Sequence, residues 1–460
     1  MRLAEAALPR LAPAVRRFDY DRASQAVGIV HLGIGAFHRA HQAWYTDRAL
    51  SAGDRDWAIC GVSLRSPEVA AQLNPQDGLY TVAERSSTGT GYGLVGAVRN
   101  ILIAGQERER VVEQIASAAV KIISLTVTEK GYCRTAEGRL DFTLAGETSL
   151  YGLIGEALKR RRDAGLPGLT LLSCDNLADN GRQLRRLMAE YLDRFSSDLR
   201  SWFEAECACP STMVDRIAPA VTDSDRAGVA AAIGLEDRAT VLTEPFSQWV
   251  IEDCFVQGRP RWDKVGVQLV EDVAPYEMAK LRMLNGAHSA LAYIGLLRGH
   301  EFVHQAVTDS FIRKIVQRLM LEEALPSVRP APGQDLVGYA HRLLERFANP
   351  ALAHRLAQIA MDGSQKIPQR WFGTLADGQK AGRSCPSVLR AVAAWMLHIR
   401  GDNGPVDDPM AAELRAVWGQ GDPSSALGGL FGEAGLFPTI WVPDEGQKTF
   451  LVRSLGEFER

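Results

Sequence analysis

Three side chains that can handle a proton and hold an oxygen stand at the spacing Lys280-x4-Asn285-x2-His288, in the segment YEMAKLRMLNGAHSAL, residues 276–291. At about 100° per helical residue, Asn285 lies about 140° and His288 about 80° around the axis from Lys280, so one broad face can carry all three. A lysine withdrawn from water loses its charge more readily and can act as a base near neutral pH. The amide and the imidazole can supply hydrogen bonds to an oxygen atom. The set suits proton transfer at a hydroxyl or carbonyl group. The same residues also allow a plain reading, in which Lys280 is solvated and Asn285 opens a turn with Gly286.

A second constellation lies in HLGIGAFHRAHQ, residues 31–42, directly after a short apolar run. Gly33 and Gly35 have the spacing of the first two glycines of a dinucleotide loop, and His38 occupies the place of the third. Gly-x-Gly between a strand and a helix lets backbone N–H groups approach a pyrophosphate, whose charge the helix N-terminus favours. From these residues alone, a chance Gly-x-Gly turn is an equal reading. The histidines at 31, 38 and 41 raise the question of a metal, yet no nearby carboxylate or cysteine completes a ligand set. Past the second strand, Arg65 would tolerate a ribose 2′-phosphate whereas Glu68 would reject it, which leaves NAD and NADP both open.

These groups need a scaffold, and the patterning supplies one. GIVHLGIG reads as strand and turn, HRAHQAWYTDRALSAG (38–53) as a helix ended by Gly53, and DWAICGVSL as a second strand. RERVVEQIASAA and LYGLIGEALKRRRDAG carry helical periodicity, while VKIISLTVTEKGY (120–132) and LTLLSCDN read as buried strands ending in polar groups. Such alternation predicts a Rossmann-type, doubly wound, mainly parallel α/β sheet over residues 1–275, with its site at the strand C-termini. Residues 276–460 carry mostly helical periodicity and are expected to form a second, largely α-helical domain. The stretch GQGDPSSALGGLFGEAG (419–435) reads as a loop.

Composition narrows the function classes. A chain of 460 residues favours two or three domains, and a formal charge of −3 argues against a nucleic-acid or anionic-membrane footprint. No apolar stretch approaches the length of a membrane span. The N-terminus lacks the pattern of a secretory signal, and its acids and prolines argue against a transit segment. Seven cysteines without framework spacing fit a reducing cytoplasm.

With these motifs in hand, the chain closely resembles the mannitol dehydrogenase family of polyol-specific long-chain dehydrogenases. The resemblance runs through GIVHLGIGAFHRAHQAWYTDRAL, SLTVTEKGYC, SCDNLADNG, MVDRIAPAVTD, EPFSQWVIEDCFVQGRP, KLRMLNGAHSALAYIG and IAMDGSQKIPQR, most of the first 400 residues. In that family the loop itself reads Gly-x-Gly-x-Phe-His-Arg, so the absent third glycine is a family trait. Tyr276-x3-Lys280 also matches the Tyr/Lys pair of short-chain dehydrogenases, but there the pair follows the Rossmann strands within a single-domain chain.

The family resemblance implies metal-independent hydride transfer between NAD and a secondary alcohol of an open-chain polyol or sugar acid. It implies Lys280 as general acid/base, Asn285 with Asn176 holding the developing alkoxide, and His288 orienting substrate hydroxyls. Asp215 and Glu277 would surround the lysine, and Lys366 would reach the substrate from the second domain. For a sugar acid, Lys366 with Arg370 four residues later could supply a fork to its carboxylate, the plain reading being that Arg370 pairs at the domain surface. Gly33, Ile34, Gly35, Phe37, His38 and Arg39 would form the cofactor loop, Glu68 would meet the ribose, and Thr128, Glu129 and Lys130 would lie beside the nicotinamide. The motifs look most like the fructuronate reductase (D-mannonate oxidoreductase) branch, with mannitol 2-dehydrogenase as the alternative and a non-catalytic NAD sensor as a remote one. The expected partner is a small sugar acid or polyol, with the protein a monomer or small homo-oligomer.

Overall fold

Ile29 and Val30, and likewise Ile122 and Ile123, are neighbours in sequence yet fully buried on opposite faces of their strands. That is the pattern of a sheet covered by helices on both sides. The protein, seen as a computed structural model, is described for residues 1–459 except 136, 196, 420, 432–433 and 439–440. It divides into two compact units, Met1–Val273 and Ala274–Arg460.

The strands of the first unit are β1 (Val27–Leu32), β2 (Ala58–Ser63), β3 (Tyr80–Ser86), β4 (Gly89–Val95), β5 (Val98–Ile103), β6 (Ile122–Leu125), β7 (Thr170–Ser173), β8 (Thr212–Asp215), β9 (Val241–Thr243), β10 (Gln248–Glu252) and β11 (Gln268–Val270). Its helices are α1 (Ala36–Ala40), α2 (Gln42–Ser51), α3 (Glu68–Leu73), α4 (Ala104–Ala116), α5 (Thr128–Gly131), α6 (Leu150–Asp163), α7 (Asn180–Phe195), α8 (Ser197–Glu206) and α9 (Asp223–Ile233). The central sheet has the order β5-β2-β1-β6-β7 with every pairing parallel. The chain winds outward from β1 through β2 to β5, then returns to β6 on β1's other side. The strand order therefore reverses between β1 and β6, and a ligand crevice belongs at their C-terminal ends. Two three-stranded sheets, β4-β3-β9 and β11-β10-β8, accompany the central one and bring in antiparallel pairs; the periodicity of the sequence had not marked them.

Two expected elements differ. Residues 38–53 do not form one helix: α1 stops at Ala40 and α2 starts at Gln42, because His41 leaves the helical region (φ −122°, ψ −90°). Its ring bonds the Gln248 carbonyl at 3.0 Å and meets Trp249 edge-on, a tertiary demand that breaks the local pattern. Residues 120–132 yield only the four strand residues of β6 before the chain turns into α5.

In the second unit, α10 (Ala274–Ala279) runs into a π-helical turn, Lys280–Asn285, and then into α11 (Gly286–Leu297). α11 is buried almost all round, as a helix apolar on every side must be, and packs against the helices Pro386–Arg400, Leu356–Ala360 and Val303–Thr308. Further π turns occur at Leu319–Ala324 and Pro368–Phe372. Residues 419–435, expected as a loop, contain the helix Pro423–Phe431, whose Ala426, Leu427, Leu430 and Phe431 bury an apolar stripe; 420 and 432–433 lie outside the described residues. No helix among the described residues is long and apolar enough to cross a membrane.

Candidate active site

At the C-terminal end of β1, Gly33 has φ +93°, and a Cβ there would lie 2.2 Å from the Thr126 carbonyl oxygen. Only glycine fits that turn. The Thr126 hydroxyl donates to the Gly33 carbonyl (2.7 Å), and His31 lies 2.8 Å from both the Ser124 and Thr126 hydroxyls, so the turn is clamped to β6. A Cβ on Gly35 would meet only the Gly33 oxygen, at 3.9 Å, and no side chain caps α1. Backbone N–H groups at that end are thus open to an approaching anion. Ile34 packs on Gly61 of β2, where an added Cβ would come within 2.2 Å of its Cδ1.

His38, in the place of the absent third glycine, stacks on His31 with ring centroids 3.4 Å apart and planes 16° apart. Burial holds both imidazoles neutral, His31 down to about 3 and His38 well below its ordinary value, and at His38 the like charge of His31 and then Arg39 adds to the effect. Arg39 bonds the Gly35 and Ala239 carbonyls and lies 5.7 Å over the Tyr80 ring, supporting the loop from within the protein. Phe37 stacks on His41 at 5.1 Å. The open Gly35 face and the close-fitting Gly33 turn fit a dinucleotide pyrophosphate.

Beyond β6, Thr128 adopts the left-handed conformation (φ +62°), which costs a residue with a Cβ roughly 1–2 kcal/mol. Asp175, just past β7, holds it there: one carboxylate oxygen accepts the Thr128 N–H at 2.9 Å, the other the Val127 N–H at 3.1 Å. Tyr132 donates to the same carboxylate at 2.9 Å and lies 2.6 Å from the Ser173 hydroxyl. Burial raises the Asp175 carboxyl, and the two amides oppose that shift. Glu129 and Lys130 continue from Thr128 on α5, and Asn176 directly follows Asp175. Asp215 closes β8 opposite Gln248, while Glu68 opens α3 and lines a groove of about 510 Å³ with Gln72, Asp223 and Arg226.

In the second unit the π turn changes the phase of the chemical residues. A π turn advances about 80° per residue, which brings Asn285 from about 140° to about 40° from Lys280 and His288 to about 20° on the lysine's other side. Glu277 precedes them on α10. Arg282 fixes this turn by donating to Asp377 (2.6 Å) and to the Ser327 carbonyl (2.9 Å). The turn packs on the π turn Pro368–Phe372, from which Arg370 donates to the Ser289 hydroxyl at 2.6 Å and Trp371 to the Gly286 carbonyl at 3.0 Å.

Arg370 is pushed down to about 10 by burial, and no carboxylate pairs with it among the described residues. Lys366 bonds the Met361 carbonyl (2.6 Å) and faces Asp362 at 3.6 Å; burial first, then Arg370, lowers its amine. His288 stacks on Phe347 and meets His354 edge-on at 4.9 Å. Burial and then His354, Arg370 and other cations keep it neutral, and its buried Nε2 has no hydrogen-bond partner among the described residues. This unit therefore gathers His288, Lys366 and Arg370. Asp175, Tyr132, Ser289 and His354 were not singled out from the sequence, although Asp175 stands inside SCDN.

The sequence profile of the mannitol dehydrogenase Rossmann domain matches residues 27–264, and that of the mannitol dehydrogenase C-terminal domain matches residues 272–427. The D-mannonate oxidoreductase of Escherichia coli (strain K12) is 42% identical over 443 residues, 92% of this chain and 91% of that protein. A mannitol 2-dehydrogenase of Pyrenophora tritici-repentis is 39% identical over 425 residues, 87% of this chain and 75% of that protein. The mannitol 2-dehydrogenase of Pseudomonas fluorescens, solved as a ternary complex with NAD and D-mannitol, superimposes with a TM-score of 0.85 at 36% identity, covering 100% of this chain and 97% of that one.

Proposed function

The chain belongs to the mannitol dehydrogenase family, and from that footing we propose that it interconverts D-mannonate and D-fructuronate. It is an NAD-dependent oxidoreductase acting on a CH–OH group. In the proposed division of labour, residues 1–275 bind the dinucleotide and residues 276–460 bring the substrate groups. The loop of Gly33, Ile34, Gly35, Phe37, His38 and Arg39 seats the pyrophosphate, Glu68 meets the ribose, and Thr128, Glu129 and Lys130 flank the nicotinamide. When bound there, NAD would supply the hydride acceptor for the alcohol and, in its reduced form, the hydride donor for the ketone.

Lys280 takes the hydroxyl proton during oxidation and gives it back to the oxygen during reduction. Asn285 and Asn176 donate hydrogen bonds to that oxygen as it gains alkoxide character, which favours the transition state over the ground state. The Nε2 of His288 orients a neighbouring hydroxyl, and Asp215 and Glu277 set the electrostatics of the proton transfer.

The observation that supports an acid substrate is Arg370, a buried guanidinium bonded to a hydroxyl and to no carboxylate among the described residues. A substrate carboxylate would give it a charge-assisted partner, with Lys366 close by. The neutral-polyol reading draws on a different observation: Lys366 already faces Asp362. Following NADH at 340 nm with fructuronate, tagaturonate and fructose separates the two. Arg370→Leu is expected to lower kcat/KM for the acid about ten- to hundredfold, the loss of one charge-assisted pair of roughly 1.5–3 kcal/mol, and to spare fructose. Equal losses on acid and neutral substrate make Arg370 structural, and a parent enzyme that turns over only neutral substrates sinks the acid assignment.

A further inference from the structure

We propose that Asp175 is a positioning residue that locks the turn after β6 to the end of β7, and so sets the place of Thr128–Lys130 relative to Asn176. The inference rests on the function proposed above, in which those residues serve the nicotinamide end of the cofactor.

Asp175 is well built for the task. Its two carboxylate oxygens accept from the amides of Thr128 and Val127 and from the Tyr132 hydroxyl, and Tyr132 and Ser173 beneath it are fully buried. Its own backbone is held in turn: the Asp175 carbonyl accepts from the Leu177 N–H at 2.9 Å and from the Asn180 side-chain amide at 3.0 Å. That same Asn180 accepts from the Thr212 N–H at 2.9 Å, so the anchor extends into β8. The left-handed Thr128 is a residue that relaxes unless its surroundings over-determine it, and the carboxylate is the group that does so. An asparagine in its place keeps one acceptor but turns a donor against the Val127 or the Thr128 N–H. None of these bonds involves Gly33 or Gly35, so the lock acts on one end of the dinucleotide site and leaves the pyrophosphate loop alone.

The test is Asp175→Asn in the full chain, with NADH binding followed by fluorescence and ADP-ribose binding by calorimetry. ADP-ribose carries the adenosine and pyrophosphate but no nicotinamide. We expect NADH affinity and the kcat of ketone reduction each to fall at least tenfold, with ADP-ribose affinity within twofold of the parent. Parental NADH affinity overturns the proposal, and so does an equal loss for both ligands, since that marks a general structural role. Tyr132→Phe keeps the buried ring and removes one donor, so it answers the question if the first variant does not fold. It is expected to weaken NADH about threefold and to leave ADP-ribose unchanged, and parental NADH affinity in it also overturns the lock. Neither binding measurement uses a substrate, so a wrong sugar-acid assignment leaves this test intact. A parent that binds no NADH would instead count against the proposed cofactor site.

Discussion

Lys280 can accept a proton only while its amine is uncharged, so alcohol oxidation should rise with pH through one ionisation and ketone reduction should fall. Lys280→Ala is expected to lower kcat by about 10²–10⁴-fold, the usual scale of acid–base assistance, while NADH still binds at the intact Gly33–Gly35 loop. An added primary amine should restore part of the oxidation rate. Near-parental turnover with the parental pH profile would remove Lys280 from the chemistry. Gly33→Ala makes the opposite prediction for the cofactor. Its new Cβ would lie 2.2 Å from the Thr126 oxygen at a φ of +93°, so the turn must shift. NADH binding should be lost and unfolding free energy should fall by at least the roughly 1–2 kcal/mol of a left-handed residue. A fluorescence titration matching the parent would show that the turn can relax at no cost to the site.

On the proposed function, the π turn Lys280–Asn285 is the element that positions the chemistry, because it narrows the spread of Lys280, Asn285 and His288 from about 140° to about 60°. Arg282→Ala would remove the ties to Asp377 and Ser327 that hold this turn, and relaxation to α geometry at unchanged length would return Asn285 to about 140° from Lys280. We expect kcat to fall by more than about 10²-fold, the lower bound for losing the positioned base, with NADH binding kept. Undiminished turnover in the Arg282→Ala variant would mean that the π phase is incidental. Arg282 shows why the turn persists: its ties to Asp377 and Ser327 hold a bulge that would otherwise relax to the tighter helix.

Stability of the whole chain should weaken in acid, because five histidines are held neutral by burial: His31 and His38 in the first unit, His288, His354 and His398 in the second. Below the ordinary histidine value of ~6.5 the unfolded chain binds protons that the folded one refuses, so each such group removes up to about 1.4 kcal/mol per pH unit. For His31 the loss continues until about pH 3, where the folded state takes its proton as well. Asp47 works in the other direction below about 6, since burial lets its folded carboxyl protonate before the unfolded one, and burial raises Asp175, Asp237 and Glu323 in the same sense. The five histidines outnumber these four carboxyls and begin to titrate at a higher pH, so urea unfolding should report a lower free energy at pH 5 than at pH 7. A flat profile would contradict the neutral His31–His38 stack.

Short-range chemistry was legible before any coordinates. The Gly33–Gly35 turn, the alternation of strands and helices, and the Lys280-x4-Asn285-x2-His288 spacing depend on neighbours within a few residues, so reading along the chain finds them. The family motifs extended that reading to Asn176 and Arg370. Contacts between distant segments were not legible. Asp175 meets Val127 and Thr128 across 48 and 47 residues, and Arg370 reaches Ser289 across 81. The phase of residues 280–288 departs from their sequence periodicity for the same reason: ordinary helical periodicity is the default of an isolated segment, whereas a π turn exists only where packing and ties such as Arg282–Asp377 favour it. His41 likewise breaks its helix for a carbonyl 207 residues away. Local propensity chooses the elements, and the free energy of long-range packing and hydrogen bonding decides where they bend and which side chains meet.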